Sequence, residues 1–171
     1  MPLPLMLAHV VLASPGARVV NHCPFAIYVQ SVQQEPSQTH ELQPGDFYFE
    51  RYKTVVNGTG VSIKIAAASF GTSPAGPHTQ FEYAFVPWQN PDLYYDVSSI
   101  DDIVPRQFCQ YGLRLQPSSA ECASIVCPPD CGKICSEVYN RPNDDFATKG
   151  CRASGDTTLT LCGEPAGLHE S

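Results

Sequence analysis

Hydrophobic and polar residues alternate with a period of two along most of this chain. Such alternation predicts strands that bury one face and leave the other in water. Val19 to Val32 reads as a strand, rich in β-branched and aromatic residues, with Pro24 near its start. Leu42 to Tyr52 carries the turn signal Pro44-Gly45, followed by Phe47-Tyr48-Phe49. Val61-Ser62-Ile63-Lys64-Ile65 alternates cleanly after an Asn57-Gly58 turn. Gln80 to Val86, Leu93 to Val97, Tyr111 to Leu115 and Thr157 to Cys162 complete the set. Gly/Pro-rich stretches separate these runs, notably Gly71 to Pro77, and no long segment has a 3.6-residue period. The expected class is all-β, a sandwich of short strands.

One region breaks the pattern. Between Ala120 and Tyr139 four cysteines crowd around Pro128-Pro129. Cys127, Cys131 and Cys135 are spaced by four, so on a helix they would share one face. The two prolines permit a helix only after them. The spacing therefore predicts a short helical turn over Cys131 to Tyr139, stapled by disulfides.

The chain has 171 residues, enough for one domain with a core. Its eight cysteines, even in number and irregular in spacing, fit a disulfide framework formed in an oxidising compartment. Zinc is the competing reading for Cys127, Cys131 and Cys135. The other cysteines are scattered and no paired histidines follow, so no metal is expected. The five histidines are dispersed, and no cofactor is expected. A formal charge of −7 and a pI near 5.0 exclude a basic nucleic-acid face and docking on anionic lipid by charge. Met1 to Ala17 holds no Asp, Glu or Lys and no Arg, and Leu5 to Ala13 resembles the apolar core of a secretory signal without its basic start. It is too short to span a membrane, and no later run is long enough. Cleavage is expected after Ala13 or Ala17, leaving residues 18–171 as one secreted domain. Asn57-Gly58-Thr59 is a glycosylation sequon in a turn, in keeping with secretion.

Three separated blocks resemble one family in the same order. They are Val19-Val20-Asn21-His22-Cys23-Pro24-Phe25, Tyr95-Asp96-Val97-Ser98-Ser99-Ile100-Asp101, and the tail from Cys135 to Cys162. The tail contains a Tyr-x-x-Pro-x-Asp-Asp turn at Tyr139 to Asp145, then Thr148, Cys151 and a last strand ending in Cys162. Together they resemble thaumatin-like proteins, in particular small fungal members and the yeast-phase-specific secreted proteins related to them. The resemblance covers nearly all of the chain after Arg18 and is loose between Gln33 and Ser73. It implies a disulfide-stapled β-sandwich, secreted to the cell exterior or the cell wall and expected to be monomeric. It implies Cys23 paired with Cys162, and Cys109 with Cys151. Cys122, Cys127, Cys131 and Cys135 would then pair among themselves, one arrangement being Cys122 with Cys135 and Cys127 with Cys131.

The resemblance also implies an acidic cleft. Glu82 matches the family Glu on its strand, Asp96 and Asp101 match the two Asp of the middle block, and Asp144 or Asp145 matches the last. The family Arg falls in the strand Gly60 to Ala66, where this chain offers Lys64. The family glycine after Asp101 is replaced by Asp102. Converging carboxylates can accept hydrogen bonds from sugar hydroxyls. Two of them, Glu82 as acid and Asp96 as base or nucleophile, can instead hydrolyse a glycosidic bond if their separation suits. Trp88, Tyr94 and Tyr95 can stack on sugar rings if exposed; Phe81 and Tyr95 otherwise read as core, and Trp88 as packed under a loop. The first expectation is a secreted protein that binds cell-wall polysaccharide, β-1,3-glucan by resemblance, with a wall or antifungal role. The others are a weak β-1,3-glucanase and a secreted effector or adhesin recognising a host protein.

Overall fold

The computed structural model describes residues 14–70, 76–102, 106–142 and 146–163. The described residues form two facing sheets. Their strands are β1 (Gly16–Asn21), β2 (Ile27–Val32), β3 (His40–Leu42), β4 (Phe47–Arg51), β5 (Val61–Ala66), β6 (Thr79–Phe85), β7 (Leu93–Ser98), β8 (Leu113–Pro117), β9 (Ile125–Cys127), β10 (Lys149–Cys151) and β11 (Thr157–Leu161). One sheet runs β4-β1-β11-β8-β9, the other β10-β7-β6-β5-β2-β3. All named pairings are antiparallel except β1 with β11. The period-two pattern sends Val19, Leu115, Ile125, Leu159 and Leu161 from one sheet against Ile27, Ile63, Phe81, Tyr95 and Val97 from the other, all buried.

The run read as one strand, Val19 to Val32, is two. The chain leaves the first sheet at Asn21 and enters the second at Ile27. Asn21 is buried and holds the crossing. Its amide donates to the Phe25 and Leu42 carbonyls and its carbonyl accepts from the Cys23 amide, each at 2.9 Å. Leu42 to Tyr52 also divides, at the Pro44-Gly45 turn, where Gly45 has a φ of 91°. β1 starts two residues before Arg18, and Ala17 is fully buried there. A cut after Ala17 would truncate β1, whereas a cut after Ala13 leaves it whole. The rest of the expected signal lies outside the described residues.

The expected helix over Cys131 to Tyr139 does not form, and the chain there makes turns. Four disulfides close the fold: Cys23–Cys162, Cys109–Cys131, Cys122–Cys151 and Cys127–Cys135. The first is the expected pair; Cys109–Cys131 and Cys122–Cys151 replace the Cys109–Cys151 pair that the resemblance implied, and Cys127–Cys135 falls within the expected group of four but not in the arrangement suggested for it. Cys127–Cys135 also explains the missing helix. Eight residues of α-helix span roughly 12 Å, yet these two Cα atoms are 5.6 Å apart. Cys131 is drawn away to Cys109, and the Asp130 carboxylate takes the Gly132 amide at 2.8 Å in a turn.

A polar cluster sits among the apolar residues at one end of the sandwich. The Glu50 carboxylate, little exposed, accepts from the hydroxyls of Tyr48 (2.9 Å) and Tyr83 (2.8 Å) and pairs with Lys53 at 2.7 Å. Lys53 in turn donates to Ser31 Oγ at 3.0 Å. Burial and the Glu50 charge push both tyrosine hydroxyls up, so they stay protonated donors. Glu50 on β4 thus ties one sheet to Tyr83 on β6 of the other. Glu50→Ala removes the acceptor of both hydroxyls, leaving Tyr83 only the Lys53 amide, and is expected to cost about 3 kcal/mol. Urea unfolding of that variant against Lys53→Ala, which leaves Tyr48 and Tyr83 bonded and is expected to cost less, checks the assignment.

Candidate functional site

The outward residues of the six-stranded sheet differ from its inner ones. Across β5, β6 and β7 one row holds Ser62, Glu82 and Asp96, paired in direct register. The next row holds Lys64, Gln80 and Ser98. Alternation requires this, because Ile63, Phe81 and Val97 between the rows face the core. Residues directly opposite in an antiparallel pair lie about 5 Å apart at Cβ. Glu82 and Asp96 are therefore forced together.

A groove of about 510 Å³ lies over this pair, among Gln33, Thr59, Glu82, Tyr94, Asp96 and Tyr139. The turn region supplies its far wall. The Tyr139 amide donates to the Val97 carbonyl and the Ser99 amide to the Tyr139 carbonyl, which docks that segment on the end of β7. The Tyr139 and Thr148 hydroxyls are 2.8 Å apart, and Thr148 Oγ1 donates to Asp96 Oδ2 at 3.3 Å. A hydrogen-bonded line thus runs from Tyr139 through Thr148 to Asp96, which stands opposite Glu82.

Burial and the Glu82 charge push the Asp96 carboxyl up, to about 7. Burial raises Glu82 as well; the Asp96 hydrogen bond and Lys64 oppose the rise, and Asp101 adds to it. Two carboxylates in direct register cannot both ionise cheaply, so the pair retains a proton towards neutral pH. Asp96 Oδ1 is buried with no hydrogen-bond partner, which a proton shared with the neighbouring Glu82 would supply.

Residues 4–163 match the family described as Bys1, Blastomyces yeast-phase-specific protein. The chain belongs to that family. Among curated relatives it is 34% identical over 148 residues to an antigenic thaumatin-like protein of Arthroderma benhamiae, covering 85% of this chain and 70% of that one. It is 32% identical over 149 residues to the secreted thaumatin-like protein calA of Emericella nidulans, covering 86% and 81%. Its fold is similar to the crystal structure of the protein elicitor MoHrip2 from Magnaporthe oryzae, with a TM-score of 0.67, 26% identity, and coverage of 88% of this chain and all of that one. The thaumatin-like xylanase inhibitor TLXI, at 17% identity and a TM-score of 0.56 over 88% of this chain, shares the fold. This Bys1-family chain is therefore a small thaumatin-like protein.

Of the cleft residues implied by that likeness, Glu82 and Asp96 meet in the groove. Asp101 stands one row away, taking the Gln80 amide at 3.1 Å, with His78 Nε2 at 3.6 Å. Lys64 occupies that same row and acts on Glu82 through its charge. Asp144 and Asp145 lie outside the described residues. Asp102, where the family glycine was expected, is a scaffold acceptor for Thr79 Oγ1 (3.0 Å) and Gln107 Nε2 (2.8 Å). Tyr94 lines the groove; Trp88 is 68% exposed but away from it; Tyr95 and Phe81 are core. Tyr139, Thr148, Gln80 and Ser62 were not singled out from the sequence. Tyr139 and Thr148 belong to the quoted tail motif, so their signal was present. Gln80 and Ser62 follow only from the strand register, which sets Ser62 Oγ 2.7 Å from Gln80 Oε1.

A carboxyl that titrates higher in the folded than in the unfolded state binds extra proton between those two values. That contribution to stability is full below about pH 4 and is lost as pH rises towards 7. Asp96→Asn is expected to flatten the fall in unfolding free energy across that window. Chemical denaturation at pH 4, 5.5 and 7 checks it; an unchanged slope would mean the pair does not hold the proton.

Proposed function

We propose that this is a secreted polysaccharide-binding protein whose groove takes a neutral cell-wall glucan, with a role at the wall. The single observation that carries this reading is the directly opposed Glu82–Asp96 pair, whose carboxyls burial pushes up, at the floor of an open groove flanked by Tyr94 and Tyr139. Such a pair donates and accepts together, which suits the hydroxyls of a neutral sugar. Four disulfides and the printed name of the secreted relative support secretion. Asn57 supports it further: it sits exposed in a tight turn closed by reciprocal Val56 and Thr59 hydrogen bonds, open to glycan transfer.

Hydrolysis by Glu82 and Asp96 is the weaker alternative. Retaining glycosidases hold their carboxyls about 5 Å apart and inverting ones about 6.5–9.5 Å, to admit the sugar carbon or a water. Glu82 and Asp96 stand side by side in direct register on one sheet face, whereas a glycosidase needs its two carboxyls to flank the scissile bond. The Glu82→Gln and Asp96→Asn double variant is expected to reduce retention on insoluble β-1,3-glucan about tenfold, with no reducing sugar released by either protein. Sugar release by the native protein that Glu82→Gln abolishes would move the reading to a glucanase.

A second reading, recognition of a host protein, is favoured by a different feature. Phe146 is 92% and Ile134 64% exposed beside a depression of about 300 Å³ with Val138 and Ala147 on its walls. The likeness to a protein elicitor fits that reading. Serine at both positions is expected to leave glucan retention unchanged; loss of an elicitor response in leaf infiltration with that variant would establish the protein-partner surface.

A further inference from the structure

The outward face of the five-stranded sheet is the chemical opposite of the groove. Phe47, Phe49 and Arg51 alternate outward along β4, with Arg18 and Val20 beside them on β1. Thr158 and Thr160 follow on β11, then Gln116 and Arg114 on β8. Phe47 is 57% and Phe49 37% exposed. The Arg18 guanidinium lies 4.5 Å from the Phe47 ring centre and 5.1 Å from that of Phe49, and pairs with Asp156 at 3.3 Å. Gly16 is the seat for Phe49, because a Cβ there would stand 2.7 Å from its ring. Among the described residues neither Arg51 nor Arg114 has an ion-pair partner.

We propose that this face is a second carbohydrate surface, one that takes an acidic polysaccharide bearing uronate carboxylates. Phe47, the more exposed ring, stacks on a sugar ring, and Arg51 and Arg114 meet carboxylates along the chain, with Arg18, already paired with Asp156, beside them. An arginine fork takes a planar carboxylate by two parallel hydrogen bonds; Thr158 meets hydroxyls, and Gln116 positions Arg114, its Oε1 accepting from Arg114 Nε at 3.2 Å and Nη2 at 2.6 Å while its amide donates to the Pro117 carbonyl. Stacking on both phenyl rings holds Arg18 in place before a ligand arrives. The chain's charge of −7 does not forbid this. The acidic pair lies on the outer face of the other sheet, beyond a core about 10 Å thick, and the Debye length at physiological salt is about 8 Å.

Other occupants fit less well. Protein interfaces place their aromatic anchors at the centre of a patch, whereas here the centre is threonine and glutamine and the rings lie at one edge. Anionic lipid calls for clusters of roughly four to eight basic residues, and this face offers three arginines set against Asp156.

The test is affinity electrophoresis of the intact oxidised protein in gels holding polygalacturonate or a neutral β-1,3-glucan. Variants are Arg51→Ala with Arg114→Ala, Phe47→Ala, and Glu82→Gln. Polygalacturonate is expected to retard the native protein, more at low salt than at high. The double arginine variant is expected to lose about tenfold in affinity, Phe47→Ala several-fold, and Glu82→Gln nothing. The neutral gel reads the groove separately, so failure of either site is distinguishable. These side chains are on the surface, and unchanged unfolding midpoints confirm that the variants fold. No retardation of the native protein by polygalacturonate at low salt, or retardation unchanged in the arginine variant, overturns the proposal. Concentration-dependent dimerisation that the arginine variant abolishes, without polygalacturonate binding, overturns it in favour of a self-interface.

Discussion

The pairing of the first strand with the last organises the molecule. β1 lies parallel to β11 in the interior of the five-stranded sheet, from Ala17 opposite Thr157 to Asn21 opposite Leu161. Parallel neighbours need a crossover, and here the crossover is nearly the whole chain. Cys23–Cys162, 139 residues apart in sequence, locks that closure immediately beyond the paired segment. In the loop-entropy view such a link removes about 5 kcal/mol of freedom from the unfolded chain. It acts where the hydrophobic pattern alone is weakest, on two strands that share no local turn. Once it is made, β4 and β8 have central strands to join, and the crossing at Asn21 commits the next strand to the other sheet.

The sheet that results imposes a conflict on its outer face. Directly opposed like charges destabilise an antiparallel pair, yet Glu82 and Asp96 are held opposite by Phe81, Tyr83, Tyr95 and Val97 on the inner face. Slipping the register by one residue would relieve the carboxyls and turn that inner set outward. The core wins, and the relief comes from a shared proton and from Thr148 instead. An acid pair held against the preference of its own strand pairing is what singles out this groove as the candidate site.

Most of the fold was legible because period-two patterning needs no knowledge of partners. Ile63 and Ile65, Phe81 and Tyr83, and Leu113 and Leu115 alternate and are buried as the pattern requires. The crossing at Asn21 was not legible, since a buried asparagine bonded to three backbone groups leaves no mark in hydropathy. β9 and β10, three residues each, are too short for a period to show. The cysteine-rich turns misled for a physical reason. Four-residue spacing implies a helix only if nothing fixes the chain ends, and Cys127–Cys135 brings them too close. The site was legible in part: Glu82, Asp96 and Asp101 came from the family likeness, whereas Ser62 and Gln80 needed the register.

A two-layer sandwich spends its inner faces on one another and leaves two outer faces whose chemistry the core does not constrain. In this chain the two have diverged. One gathers Glu82, Asp96 and Asp101 with Lys64 beside them; the other gathers Arg18, Arg51 and Arg114 with Asp156 and exposed rings beside them. The excess is of opposite sign on the two faces, so the net charge is a poor guide to what either face will meet. Strand register is the better guide, because it fixes which side chains stand together on each face.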